Sequence, residues 1–115
     1  TNANANGIEH CRFLAASAEA IFTTGVQEFP RESTVVVVDP PRKGCSDEFL
    51  QQLYLYAPRR LVYMSCDVAT QARDAYSITR EGGYRITSVQ PFDLFPQTRH
   101  IECLIVFEKE ETIIE

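Results

Sequence analysis

The chain has 115 residues, enough for one compact domain, and its net charge of −5 and pI of about 5.0 argue against bulk, sequence-blind nucleic-acid binding. No apolar stretch approaches the roughly 20 residues that span a bilayer, and the polar start Thr1-Asn2-Ala3-Asn4-Ala5-Asn6 lacks the apolar segment of a secretory signal. Cys11, Cys45, Cys66 and Cys103 show no CxxC spacing, and His10 and His100 complete no zinc pattern, so the expectation is no metal and no disulfide framework. Reduced thiols fit the cytosol or nucleus, with mitochondria also compatible.

Asn4-Ala5-Asn6-Gly7 reads as a helix end with a glycine cap, Arg12–Ala16 as a short strand and Ala18–Gln27 as a weak helix. Pro30 and Glu32-Ser33 form a loop. Thr34–Asp39 is the clearest strand, a continuous valine run of the kind buried in parallel sheets. Ser46 is a good N-cap for an amphipathic helix over Asp47–Ala57, which Pro58 closes. Arg60–Ser65 is the next strand. Asp67–Glu81 is a second helix, ended by Gly82-Gly83. Tyr84–Leu94 is extended, Pro96-Gln97-Thr98 turns the chain, and Ile101–Glu108 returns antiparallel. Cys11 and Cys103 fall inside apolar strand-like runs and read as small core residues. Alternating helices and strands imply an α/β sheet, mostly parallel, closed by an antiparallel hairpin at one edge. Nucleotide-binding sheets open with a strand and a Gly-rich turn, whereas this chain opens with a helix and no initiator Met, so the expectation is a sheet truncated at its N-terminal side.

Three places carry candidate chemistry. Asp39-Pro40-Pro41-Arg42 follows a buried strand; the prolines stiffen the loop, Asp39 offers an acceptor to a flat amide or a base edge, and Arg42 suits a phosphate. Cys66 ends the next strand, where α/β sheets bind their ligands. Asp67 caps the following helix, whose positive end favours a thiolate, and Arg73 is placed to add positive charge. Glu102 stands one residue into an apolar strand, on the face of His100, Leu104 and Val106, which suits proton transfer. Arg42, Lys43, Arg59, Arg60, Arg73 and Arg99 make a candidate basic rim, while Glu108, Glu110, Glu111 and Glu115 crowd the tail.

These pieces, together with Asn2-Ala3, Asn6-Gly7-Ile8, Val38-Asp39-Pro40-Pro41-Arg42-Lys43-Gly44, Tyr63-Met64-Ser65-Cys66-Asp67-Val68-Ala69-Thr70-Gln71-Ala72-Arg73-Asp74 and Asp93-Leu94-Phe95-Pro96-Gln97-Thr98-Arg99-His100-Ile101-Glu102, carry a resemblance. The chain resembles the RNA 5-methyluridine methyltransferases, which methylate uracil C5 in tRNA and rRNA. Residues 1–109 look like the C-terminal portion of their catalytic domain, and 110–115 are an acidic tail. The resemblance implies a Rossmann-like, class I methyltransferase sheet and S-adenosylmethionine as cofactor. It implies an RNA substrate, above all tRNA, with no metal, membrane or obligate protein partner. By that resemblance Cys66 is the nucleophile that adds to uracil C6 and Glu102 the base that takes the C5 proton. Asp39 holds the uracil edge and the neighbouring cofactor, and Arg42 a substrate phosphate. Ser17 occupies the position where many methyltransferases hold the cofactor's adenine amine with an acid or amide. Asp67-Val68 replaces the Asn-Pro that many relatives have after the cysteine. The fragment alone is expected to be inactive. Two other readings are weighed against this one. An amino-group methyltransferase would use Asp39-Pro40-Pro41 but wants an aromatic where Arg42 stands. A non-catalytic RNA- or protein-binding remnant of the same fold would leave Cys66 a bystander.

Overall fold

In the computed structural model the described residues are Phe22, 29–93 and 101–110. The helix end at 4–7, the strand at 12–16, most of the helix at 18–27, and Ser17, Arg99 and His100 lie outside them. Arg31–Ser33 makes a single 3-10 turn before strand β1 (Val35–Val38). Then follow helix α1 (Asp47–Tyr56), β2 (Arg60–Ser65), α2 (Val68–Arg80), β3 (Tyr84–Phe92) and β4 (Glu102–Lys109). The strands and helices expected over 34–93 and 101–108 are present within a residue or two of their expected ends, and the turn expected at 96–98 lies outside the described residues.

Local chemistry explains where each helix begins and ends. The Ser46 hydroxyl accepts from the Phe49 N–H at 3.1 Å, and the Asp67 carboxylate accepts from the Thr70 N–H at 3.1 Å, so both expected N-caps are formed. Helix α1 ends at Ala57, whose φ of 54° puts a non-glycine residue in the left-handed region; Pro58 then prevents continuation. Helix α2 ends through Glu81 and Gly82, whose N–H groups both reach the Ser77 carbonyl, and Gly83 follows at φ 72°.

The sheet order is β1-β2-β4-β3. β1 pairs parallel with β2, and β4 pairs antiparallel with both β2 and β3. Strands β1, β2 and β3 therefore run the same way, and β4 runs back between two of them. The hairpin does close one edge, as the sequence predicts, but its second strand is the inner one and β3 is the edge. One rim of the sheet thus collects the C-terminal ends of β1, β2 and β3 and the start of β4. The other end collects the starts of β2 and β3 and the finish of β4.

One face of the sheet is dry. Leu53 of α1, Ile78 of α2, Leu61 and Tyr63 of β2 and Phe107 of β4 are wholly buried there, and Phe22 closes the layer against the rings of Phe49 and Tyr56 at centroid distances of 5.6 and 5.5 Å. Full burial of each such leucine or phenylalanine contributes about 1.5–3 kcal/mol. The other face is half-buried: Val62, Met64, Leu104 and Val106 alternate with the core residues, and Val35 and Val37 of β1 are exposed. Among the described residues no helix is long and apolar enough to cross a membrane.

Candidate active site

Strand register brings the two candidate reacting groups together. Ser65 pairs with Cys103 across β2 and β4, so the next residues outward, Cys66 and Glu102, leave the sheet side by side at the same rim. Glu102 also pairs with Phe92, the last residue of β3. Val38 pairs with Tyr63, which puts Asp39 at that rim on the adjacent strand. Ser65 and Cys103 alternate onto the dry face, while Glu102 lies with Leu104 and Val106 on the half-buried one, as the sequence predicts. Asp39, Cys66 and Glu102 thus stand at the carboxyl rim on three neighbouring strands, with Asp39 about level with Met64, and Arg42 is three residues beyond Asp39.

The turn carrying Cys66 is held from below. The buried Ser65 hydroxyl accepts from the Asp67 N–H at 2.9 Å and donates to the Asp67 carbonyl at 3.1 Å. The Asp67 carboxylate is occupied as the helix cap. The thiol is half-buried and free, and α2 begins two residues after it, with its positive end at the rim. Among the described residues, no hydrogen bond or ion pair engages the side chains of Asp39, Arg42, Cys66 or Glu102. The other two described cysteines are poor candidates. Burial, then the Asp74 carboxylate, push the Cys45 thiol up to about 12, and burial raises that of Cys103. Both stay protonated at neutral pH.

Asp39 also borders a groove of about 530 Å³ along β1, lined by Pro40, Pro41 and Phe49 among others. Its wall is mostly apolar and follows the length of β1, with the Asp39 carboxylate and Lys43 among its lining.

Two expectations are changed in detail, and two residues join the site that the sequence did not flag. Arg73 does not serve Cys66: its guanidinium donates to the Lys43 carbonyl at 2.7 Å and to Asp74 at 3.2 Å. Arg60 begins β2 and Arg59 directly precedes it, so both lie at the far end of the sheet, leaving Arg42 and Lys43 at the rim. The residues that brace the site, Gln71 and Asp74, were not singled out from the sequence for any role. Gln71 is 2 % exposed and its amide donates to the carbonyls of Tyr63 (3.2 Å) and Cys103 (2.9 Å), joining β2 to β4 just below Cys66 and Glu102. The available signal was their polarity on the inward stripe of an amphipathic helix.

An α/β sheet with a thiol and carboxylates at its carboxyl rim is the framework of a methyltransferase-type domain. The sequence model of the tRNA (Uracil-5-)-methyltransferases matches residues 1–110, and the chain belongs to that family. It is 43 % identical over 112 residues to the tRNA (uracil(54)-C(5))-methyltransferase of Saccharomyces cerevisiae, covering 94 % of this chain and 17 % of that protein. The enzyme of the same description from Schizosaccharomyces pombe is 44 % identical over 111 residues, covering 94 % of this chain and 21 % of that protein. Among solved structures, the tRNA (uracil-54, C5)-methyltransferase of Pyrococcus abyssi in complex with S-adenosyl-L-homocysteine superposes with a TM-score of 0.74 at 30 % identity, covering 92 % of this chain and 24 % of that one. The chain therefore spans about a fifth of the length of the relatives it matches.

Proposed function

We propose that this chain carries the reacting groups for transfer of a methyl group to C5 of a uridine in tRNA, with Cys66 as nucleophile and Glu102 as base. The register that sets Cys66 beside Glu102 is the observation that carries this reading. Uracil C5 is a weak nucleophile. Addition of the Cys66 thiolate to C6 forms a C–S bond and moves the electron pair of the C5–C6 double bond toward C5 and O4. After methylation, the Glu102 carboxylate takes the C5 proton, the C5–C6 double bond re-forms, and the C6–S bond breaks to return the thiolate. S-adenosylmethionine, when bound, supplies the electrophilic methyl group. Asp39 and Ser17 are the residues of this chain proposed to hold it, and the carboxylate bordering the β1 groove fits an amine- and hydroxyl-bearing group. Asp39 is also placed to accept from the uracil N3–H, and the exposed Arg42 to hold a phosphate of a uridine splayed out of its RNA loop. The free thiols of Cys45, Cys66 and Cys103 suit a reducing compartment, the cytosol, nucleus or mitochondrial matrix.

The test uses the full-length protein. It is incubated with tRNA containing 5-fluorouridine and S-adenosylmethionine, and denaturant-stable protein–RNA adducts are sought by mass spectrometry. Fluorine at C5 cannot leave as a proton does, so an adduct on Cys66 is expected and is lost in Cys66→Ser. Methyl transfer to RNA without an adduct would assign the reaction to an amino group or ribose and leave Cys66 a bystander.

A further inference from the structure

The loop from Asp39 to Cys45 is poorly equipped to hold its own shape. Pro40 and Pro41 contribute no N–H, and its internal bond is one turn closure, the Gly44 N–H to the Pro41 carbonyl at 2.8 Å. Helix α2 supplies the missing partners from one face. The Thr70 hydroxyl donates to the Arg42 carbonyl at 2.7 Å, Arg73 Nη2 donates to the Lys43 carbonyl at 2.7 Å, and the Asp74 carboxylate accepts from the Cys45 N–H at 2.8 Å. Residues 70, 73 and 74 are spaced i, i+3 and i+4, so they form one stripe of the helix that starts at the Cys66 turn.

Asp74 is the fixed point of this contact. It is 2 % exposed, and besides the Cys45 N–H it accepts from the Tyr63 hydroxyl of β2 at 2.6 Å and from Arg73 Nε and Nη2 at 3.3 and 3.2 Å. Loop, strand and helix thus meet on one carboxylate. Gly44 shows how close the approach is. Its φ is 87°, and a Cβ built there would lie 2.5 Å from Arg73 Nη2 and 2.7 Å from Asp74 Oδ2. The glycine of the Arg42-Lys43-Gly44 segment is what lets the loop backbone reach the helix.

We infer that Thr70, Arg73 and Asp74 are positioning residues: they fix the loop bearing Asp39 and Arg42 at a set distance from Cys66, so that a base held by the loop meets the thiol in reacting geometry. This rests on the function proposed above. A contact of this kind acts on the reacting geometry more than on affinity, since a misplacement of about 1 Å can slow a reaction on the order of 100-fold.

The test uses Thr70→Val, Thr70→Ser and Arg73→Lys in the full-length protein, with Thr79→Val as the control on the same helix, whose hydroxyl bonds the Tyr76 carbonyl. Thr70→Val removes the donor while keeping shape and the backbone N–H that Asp67 caps. Expected are RNA affinity within about threefold of wild type, a single-turnover rate lower by about tenfold or more, and recovery in Thr70→Ser. Wild-type single-turnover rates in both Thr70→Val and Arg73→Lys overturn the inference. So does a rate loss that Thr70→Ser does not recover. Hydrogen–deuterium exchange of the 42–45 amides gives a readout independent of chemistry: faster exchange in Thr70→Val, with 61–65 unchanged, is expected, and unchanged protection of 42–45 overturns the inference. If wild type leaves uracil C5 unmethylated, the functional reading falls, and the exchange result alone decides whether the loop is held as inferred.

Discussion

At the far end of the sheet, where β2 starts and β4 finishes, Glu108 sits between two guanidinium groups: it pairs with Arg60 and, at 3.2 Å, with Arg85. Lys109 donates to the Gly82 carbonyl and stands over the Tyr84 ring. At the carboxyl rim, Asp39, Arg42, Cys66 and Glu102 find no such partners among the described residues. Both ends are rich in ionisable side chains. At one end the charges satisfy each other and tie strands together; at the other the backbone beneath is braced by Ser65, Gln71 and Asp74 while the candidate groups above are left available. Charge alone does not mark a site; charge that the fold braces but does not neutralise does.

The contrast can be broken in three places. Glu102→Gln in the full-length protein keeps the shape of the rim but removes the proposed base. Turnover is expected to fall by roughly 10²–10⁴, and the adduct on Cys66 is expected to build up on ordinary uridine-containing tRNA, read as a denaturant-stable shifted band. Turnover near wild type would place the base elsewhere. Arg42→Ala is expected to weaken RNA binding uniformly across sequences and to lower the slope of log affinity against log salt by about 1. Equal slopes in wild type and variant would remove Arg42 from phosphate binding. The smallest effect belongs to the far end. Arg60 first, with Arg85 and Arg59, holds the Glu108 carboxyl below its ordinary value of 4.5. A lowered carboxyl stabilises the fold above its unfolded value and loses that contribution as pH falls through the lowered one. Glu108→Gln should therefore lower the melting temperature slightly at pH 7, less so in high salt, with the difference from wild type closing as pH falls through the lowered value. A measurable change in methylation rate in this variant would show that the two ends are coupled.

Much of this was legible in the sequence. Four valines stopped by Asp39-Pro40-Pro41, an apolar strand ended by Cys66 and a carboxylate inside Ile101–Phe107 are local patterns that needed no structure. Ser46 and Asp67 were readable as caps for the same reason. Strand direction separates Arg42 from Arg59 and Arg60, because one follows its strand and the others precede theirs; proximity to a strand end does not. The sheet order was not legible. Either strand of the terminal hairpin could have lain beside β2, since both are extended and partly apolar, and the choice of β4 is what puts Glu102 next to Cys66. Nor were the buried partners of Gln71 and Asp74, which lie up to 32 residues away in sequence.

The inner position of β4 also sets the order in which the molecule can be completed. Among the described strands, β2 and β3 come earlier in the chain and have no direct neighbour in one another; the strand that fills the space between them follows both. Until residues 102–109 insert, β2 has an open edge and Cys66 lacks Glu102 on the neighbouring strand. The proposed reacting pair is thus complete only once the last of these strands is in place, and a stop codon a few residues before Glu102 would remove a central strand of the described sheet together with the proposed base.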